Sequence, residues 1–316
     1  MKYKKTCLDP IQIVDVHWPQ VGDPCRCIPI SNEKGVNSRN WVVQLRSGDH
    51  YLLKLTTAKD YDCHLRAVEV QIYCHKHGAI VPKVLRPENS LSPVCLTGGY
   101  SASLQTYHTP DKQKTPQDYP ALFARELGRL HALLRHYPGD IPERSGAYKE
   151  LEPREFERIQ ELASSGIKTS FDLEVLAFLD RLVTLQGRAP VSSTYMQYVH
   201  MDFHPSNALL AEDGTPFILD FGHVLKENLR MSVAFSCHRF CQEQPSMAKG
   251  FLDAYFQADF HGEMEADSLQ PYIVEEALNR IRYILRAHYF EGSNSWDGEL
   301  EKQISYLEEA QRGFPY

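Results

Sequence analysis

The spacing of hydrophobic and polar positions changes along the chain. Residues 41 to 55 hold two β-prone runs, Trp41-Val-Val-Gln-Leu45 and Tyr51-Leu-Leu-Lys-Leu55, around Ser47-Gly48-Asp49, and so predict a hairpin. From 60 to 78 the period becomes helical. Leu65, Val68, Ile72 and Tyr73 recur at helix spacing, and Gly78 marks the stop. A proline-rich passage with a short apolar run covers 80 to 96. Gly98-Gly99 then opens a strand, Tyr100 to Tyr107, which ends at His108-Thr109-Pro110. The polar segment 109 to 120 carries three prolines and reads as a boundary. Beyond it the spacing predicts helices over 121–136, 171–186, 246–258, 271–290 and 298–312, with a strongly amphipathic first one. A small hairpin interrupts them, with Ala208-Leu-Leu-Ala211 and Phe217-Ile-Leu219 flanking Glu212-Asp213-Gly214. No internal repeat occurs. The layout is a β-rich first third with one helix, then a helix-rich remainder.

Composition narrows the class. At 316 residues, 42% hydrophobic and 24% charged, the chain can bury a sizeable core without disulfide staples. Its net charge of -7 gives no electrostatic footprint for nucleic acid or an anionic membrane face. No run of 18 apolar residues predicts a membrane span. The basic start lacks an apolar stretch after it, so a cytoplasmic protein is expected. Eight cysteines are then expected as plain thiols; Cys25-x-Cys27 and Cys237-x-x-x-Cys241 do not make two matched zinc knuckles.

The chemistry concentrates between 200 and 222. His200-Met-Asp202-Phe-His204-Pro-Ser-Asn207 precedes the small hairpin, and Ile218-Leu-Asp220-Phe-Gly222 follows it. This order resembles the catalytic loop and metal aspartate of protein kinases. Phosphoryl transfer needs a cation to neutralise phosphate oxygens and a carboxylate to orient the attacking hydroxyl and take its proton. By that pattern Asp202 is the base, and Asn207 and Asp220 hold the metal. Their hard oxygen donors suit Mg²⁺.

Other segments agree with a more specific resemblance. Phe203-His-Pro-Ser-Asn207, Leu127-Gly-Arg-Leu-His131, Val68-Glu-Val-Gln-Ile-Tyr73 and Val81-Pro-Lys-Val-Leu85 are similar to motifs of the aminoglycoside phosphotransferase and choline kinase-like family. The resemblance covers about residues 30 to 240. It implies an α+β, protein-kinase-like bilobal fold. Residues 1–108 would form a β-rich nucleotide-binding lobe with one helix. Residues 109–316 would form a larger, mostly helical catalytic and acceptor lobe, with the hinge near 105–110. It also implies that Lys54 holds the ATP phosphates with Glu69 as its partner. Gly35, Asn37 and Ser38 cover the phosphates, Gln105 and Tyr107 meet the adenine edge, and Leu209 or Leu210 packs beneath it. His200 is expected to brace the loop. Two departures are visible. Met201 stands where the family commonly has glycine, and Met231-Ser-Val-Ala234 lacks an aspartate that braces the loop in many members.

The acceptor is expected to be a small molecule. There is no GxGxxG, no Val-Ala-Ile-Lys and no Ala-Pro-Glu after Asp220, so no platform for a protein substrate is evident. Residues 223–316 carry 9 Lys+Arg against 15 Asp+Glu, and 14 of the 34 aromatics. Acidic and aromatic walls suit a cationic, amine-bearing acceptor such as an aminoglycoside. Homoserine, choline-like alcohols and sugars are the alternatives within the class. A nucleotide-binding pseudokinase scaffold is the alternative from another.

Overall fold

A computed structural model describes residues 9–30, 38–88, 92–141, 151–165, 169–185, 195–242, 244–258, 269–292, 296 and 298–312. Gly35 and Asn37 lie outside the described residues. The chain divides into two compact units. The first takes in residues 1–115, 136–141 and 207–224, and the second 116–135, 142–206 and 225–316.

The first unit is built on an antiparallel sheet. Its strands are β1 (Pro24–Ile30), β2 (Ser38–Leu45), β3 (His50–Thr57), β4 (Val84–Leu85), β5 (Val94–Leu96) and β6 (Tyr100–Thr106). They run in the order β1-β2-β3-β6-β4, with β5 also on β6. The β2–β3 hairpin turns at Gly48, whose φ of 95° is costly for other residues, and Ser47 Oγ donates to Asp49 Oδ2. Helix α1 (Pro10–His17) adds Ile13 and Val14 to a core of Val43, Leu45, Leu53, Leu55 and Leu104. Trp18, just beyond it, is buried and donates from Nε1 to the Leu85 carbonyl. Helix α2 (Tyr61–Lys76) turns His64, Val68, Gln71 and Cys74 inward, one every three or four residues. Its end is marked by Gly78, at φ 90°. Strands β8 (Ala208–Leu210) and β9 (Pro216–Ile218) form the second hairpin. The segment leaving β6 is stapled to it. Pro110 bridges Ala211, the Asp111 N–H reaches the Leu210 carbonyl, and the His108 ring stacks on Phe217 at 3.8 Å.

The second unit is mostly helical. It contains α3 (Pro120–Leu134), α4 (Pro153–Ser164), α5 (Ser170–Leu185), α6 (Leu229–Cys241), α7 (Ala248–Gln257), α8 (Gln270–Tyr289) and α9 (Glu299–Arg312). The strands β7 (Met196–His200) and β10 (Val224–Asn228) pair with each other. Phe123, Leu127, Leu130 and Leu134 make the buried stripe of α3. Gly128 lets α7 come close: a Cβ there would lie 2.7 Å from Ala258 Cβ and 2.8 Å from the Tyr255 carbonyl. A capping box of Glu152 and Glu155 starts α4, and Arg286 of α8 grips Glu155 through two bonds of 2.9 and 2.8 Å. Among the described residues no helix is long and apolar enough to cross a membrane.

Candidate active site

Lys54 sits in the middle of β3, opposite Asn40 on β2 and Ser103 on β6. Its Nζ donates to Asp220 Oδ1 at 3.0 Å. The carboxylate partner is therefore Asp220, and the expected Lys54–Glu69 pair is not formed. The phase of α2 explains this. His64, Val68 and Gln71 occupy its sheet-facing stripe, while Glu69 falls on an exposed face. His64 takes the buried polar position. Its ring nitrogens bond Ser101 Oγ and Ser103 Oγ, each at 2.8 Å. Burial pushes the His64 pKa down to about 4, helped by the Lys54 charge and opposed by Asp220. Sequence reasoning missed this histidine; its place on the apolar stripe was the available signal.

Asp220 adopts a left-handed conformation, φ 54° and ψ 78°, and caps the turn 221–223 by accepting the Gly222 N–H at Oδ1. A Cβ at position 222 would lie 3.3 Å from that oxygen, so glycine gives the carboxylate room to fold back. Phe221 is buried, and the Cys63 thiol of α2 donates to the Gly222 carbonyl. The β8–β9 hairpin brings Asn207 to the same end: the Asn207 carbonyl accepts from the Leu219 N–H at 2.9 Å, one residue before Asp220. Two residues with oxygen-bearing side chains, Asn207 and Asp220, thus stand at one end of the hairpin.

The other expected nucleotide contacts spread along this unit. Ser38 opens β2 across from Thr56. Gln105 pairs with both Leu52 and Val84, and its Oε1 accepts from Gln71. Its side chain is thus turned to α2. The Tyr107 N–H reaches the His50 carbonyl. Leu209 is half-buried, opposite Phe217, and its neighbour Leu210 is fully buried.

In the second unit, β7 delivers His200 into the core and Asp202 to the surface-facing turn after it. The Asp202 N–H donates to His200 Nδ1 at 3.3 Å. Met201 is buried. Phe203 anchors the loop, packed against Phe240, His200 and Phe123. His204 Nδ1 accepts the Ser206 N–H, which leaves the Nε2–H to face Asp202 Oδ1 at 3.5 Å. Arg239 of α6 feels the Asp202 charge. Burial, and then Arg280, lower its pKa, while Glu276, Glu299 and Asp202 raise it. Ser232, in the segment without the expected aspartate, donates from Oγ to the His200 carbonyl at 2.8 Å.

The sequence matches the phosphotransferase enzyme family over residues 30–266, most of its length. The chain belongs to that family. No curated protein matches it in sequence. Solved structures do match the phosphotransferase in fold. An aminoglycoside phosphotransferase from Alicyclobacillus acidocaldarius superposes with a TM-score of 0.69 at 14% identity, covering 99% of this chain and 98% of that one. A spectinomycin phosphotransferase in complex with ADP and spectinomycin gives 0.62 at 13% identity, with 95% and 92% covered. An amicoumacin kinase in complex with AMP-PNP, Ca²⁺ and Ami gives 0.59 at 15%, with 96% and 92% covered. The fold of the phosphotransferase is the α+β, protein-kinase-like one expected from its motifs.

The acidic surplus of 223–316 is partly engaged inside the second unit. Glu275 bonds Arg282 at 2.7 Å, both buried, and Glu299 meets Arg280 at 3.5 Å. Asp253 and Glu291 are exposed, while Asp259, Glu263, Glu265, Asp267 and Asp297 lie outside the described residues.

Proposed function

We propose that this phosphotransferase moves the γ-phosphoryl group of ATP, with Mg²⁺, to a hydroxyl of a small amine-bearing molecule. The single observation that carries the reading is the end of the β8–β9 hairpin, where Asn207 flanks Leu219 and Asp220 engages Lys54. An amide oxygen and a carboxylate are hard donors, and they fit Mg²⁺ better than a thiolate-seeking metal. When bound, Mg²⁺ would neutralise charge on the phosphate oxygens. Lys54 would exchange Asp220 for phosphate oxygens. The pair is partly exposed, 26% and 38%, so opening it costs little, on the order of 0–1 kcal/mol.

The nucleotide residues complete the reading. Gly35, Asn37 and Ser38 would cover the triphosphate. Gln105 and Tyr107 would meet the adenine through their backbone, with Leu209 beneath it. Asp202 would accept the hydroxyl proton as the acceptor oxygen bonds phosphorus and the bond to the β-phosphate oxygen breaks, releasing ADP. His204 would orient that carboxylate. Residues 1–108 would serve the nucleotide and 109–316 the acceptor. An ATP donor implies a cytoplasmic setting.

The acceptor class is supported by the spectinomycin and Ami bound to the spectinomycin phosphotransferase and the amicoumacin kinase, and by the acidic balance of residues 223–316. A second reading, a neutral sugar or alcohol, is favoured by the arginines that already hold Glu275 and Glu299. Incubation with ATP, Mg²⁺ and pooled hydroxyl compounds, followed by mass spectrometry, tests both. One amine-bearing compound should gain a phosphoryl group as ADP forms. Gain by a neutral sugar instead would select the second reading, and no transfer to any compound would contradict both.

A further inference from the structure

A run of buried polar groups in the second unit ends on the catalytic loop. Ser232, His131 and His200 have no exposed surface, and Tyr255 is equally buried. Ser232 Oγ lies 2.8 Å from the His200 carbonyl oxygen and 3.3 Å from His131 Nε2. His131 Nδ1 lies 2.9 Å from the Tyr255 hydroxyl. Chemistry fixes the direction of each bond. A carbonyl only accepts, so the single Ser232 hydrogen points at His200. The serine oxygen must then accept from His131, which places the imidazole proton on Nε2. Burial pushes the His131 pKa down to about 3, so the ring is neutral and Nδ1 carries no hydrogen. Nδ1 therefore accepts from the Tyr255 hydroxyl.

The hydrogens run one way: Tyr255 to His131, His131 to Ser232, Ser232 to the His200 carbonyl. His200 in turn accepts the Asp202 N–H at Nδ1, 3.3 Å away. The run is held at its start and its middle. Gly128 lets the backbone at Tyr255 pack closely on α3, and the Gln197 side chain donates to the His131 carbonyl at 3.1 Å.

We propose that Ser232 is a positioning residue for Asp202, and that it works as the last member of a directed hydrogen-bond chain from Tyr255 through His131. The inference rests on the reading of Asp202 as proton acceptor. It goes further by assigning the support of that loop to a neutral hydroxyl, where sequence reasoning expects the brace to be lost. Such a chain is held together by polarisation, and removing one member weakens the others.

Ser232→Ala and Tyr255→Phe test it, singly and together. Ser232→Ala should lower kcat by about 10²-fold with the KM for nucleotide unchanged, because it loosens the loop and spares the phosphate-binding residues. The double variant should fall no further than Ser232→Ala alone. Ser232→Thr, which restores the hydroxyl, should recover most of the loss if the pocket admits its methyl; Ser232→Cys, a weak donor of nearly the same size, should fall between serine and alanine. Amide hydrogen exchange at Asp202 gives a readout independent of turnover: it should speed up in Ser232→Ala while exchange in α9 stays as in the parent. Unchanged exchange at Asp202, or additive losses in the double variant, would overturn the chain. If the parent makes no ADP with any acceptor, the phosphotransfer reading fails, and the exchange experiment still decides whether Ser232 holds the loop.

Discussion

Gly222 has no side chain, and the Asp220 carboxylate uses the space that leaves. A Cβ at 222 would sit 3.3 Å from Asp220 Oδ1, tighter than most such contacts, and would push the oxygen that meets both Lys54 and the Gly222 N–H. Gly222→Ala should therefore weaken Mg²⁺-dependent nucleotide binding by about tenfold, equivalent to ~1.4 kcal/mol, with metal-free binding changed much less. Titration calorimetry with and without Mg²⁺ reads the difference, and equal losses in both would contradict it. Asp202, Asn207, Asp220 and Lys54 are legible in the sequence because short segments place them: one loop, one tight hairpin, one strand. The partner of Lys54 is not legible in the same way. It depends on the phase of α2, and one helical step decides whether Glu69 or His64 faces the sheet. The support of His200 by Ser232 joins residues 32 apart, and no local spacing announces it.

Among the elements, α3 and α7 are joined through a glycine. Alanine at 128 would drive its methyl to 2.7 Å from Ala258 and 2.8 Å from the Tyr255 carbonyl, a backbone atom that cannot swing aside. Gly128→Ala should destabilise the second unit by about 1–3 kcal/mol, although alanine favours helix, because overpacking outweighs propensity. Urea unfolding measures this, and a stabilised variant would show that the two helices part freely. The helices with strong apolar periodicity, α2, α3, α5, α7, α8 and α9, are all readable in the sequence to within two residues or so. Three others are not read there. Helix α1 is only eight residues long, shorter than a dependable periodic signal; α4 offers only Phe156, Ile159 and Ala163 as buried positions in a run of charged residues; and α6 is buried at most of its positions, so no polar stripe marks its period. Strand β1 has polar and proline positions and mostly exposed residues, so it earns its identity from pairing with β2.

At the scale of the whole molecule, His64 in the first unit and His131 and His238 in the second are buried where the charged ring is disfavoured. Burial pushes their pKa values to about 4, 3 and 3, from 6.5 in the unfolded chain. The His238 ring is held by Gln303 at 2.6 Å. Below pH 6.5 the unfolded chain binds protons that the folded chain refuses. Stability should thus be full above about pH 6.5 and fall as pH drops from there toward 4 and 3, by up to about 1.4 kcal/mol per pH unit for each group. Denaturant melts from pH 7.5 to 5 should show a falling midpoint, and a flat midpoint would mean that the rings are protonated in place. The central claim concerns Asp202 as the group that takes the acceptor's proton, and Asp202→Asn tests it most directly. The asparagine keeps the shape and cannot accept that proton. Turnover with the acceptor identified by screening should fall by about 10²–10⁴-fold while ATP still binds with Mg²⁺ as in the parent. An Asp202→Asn enzyme that turns over at the parent rate would contradict it.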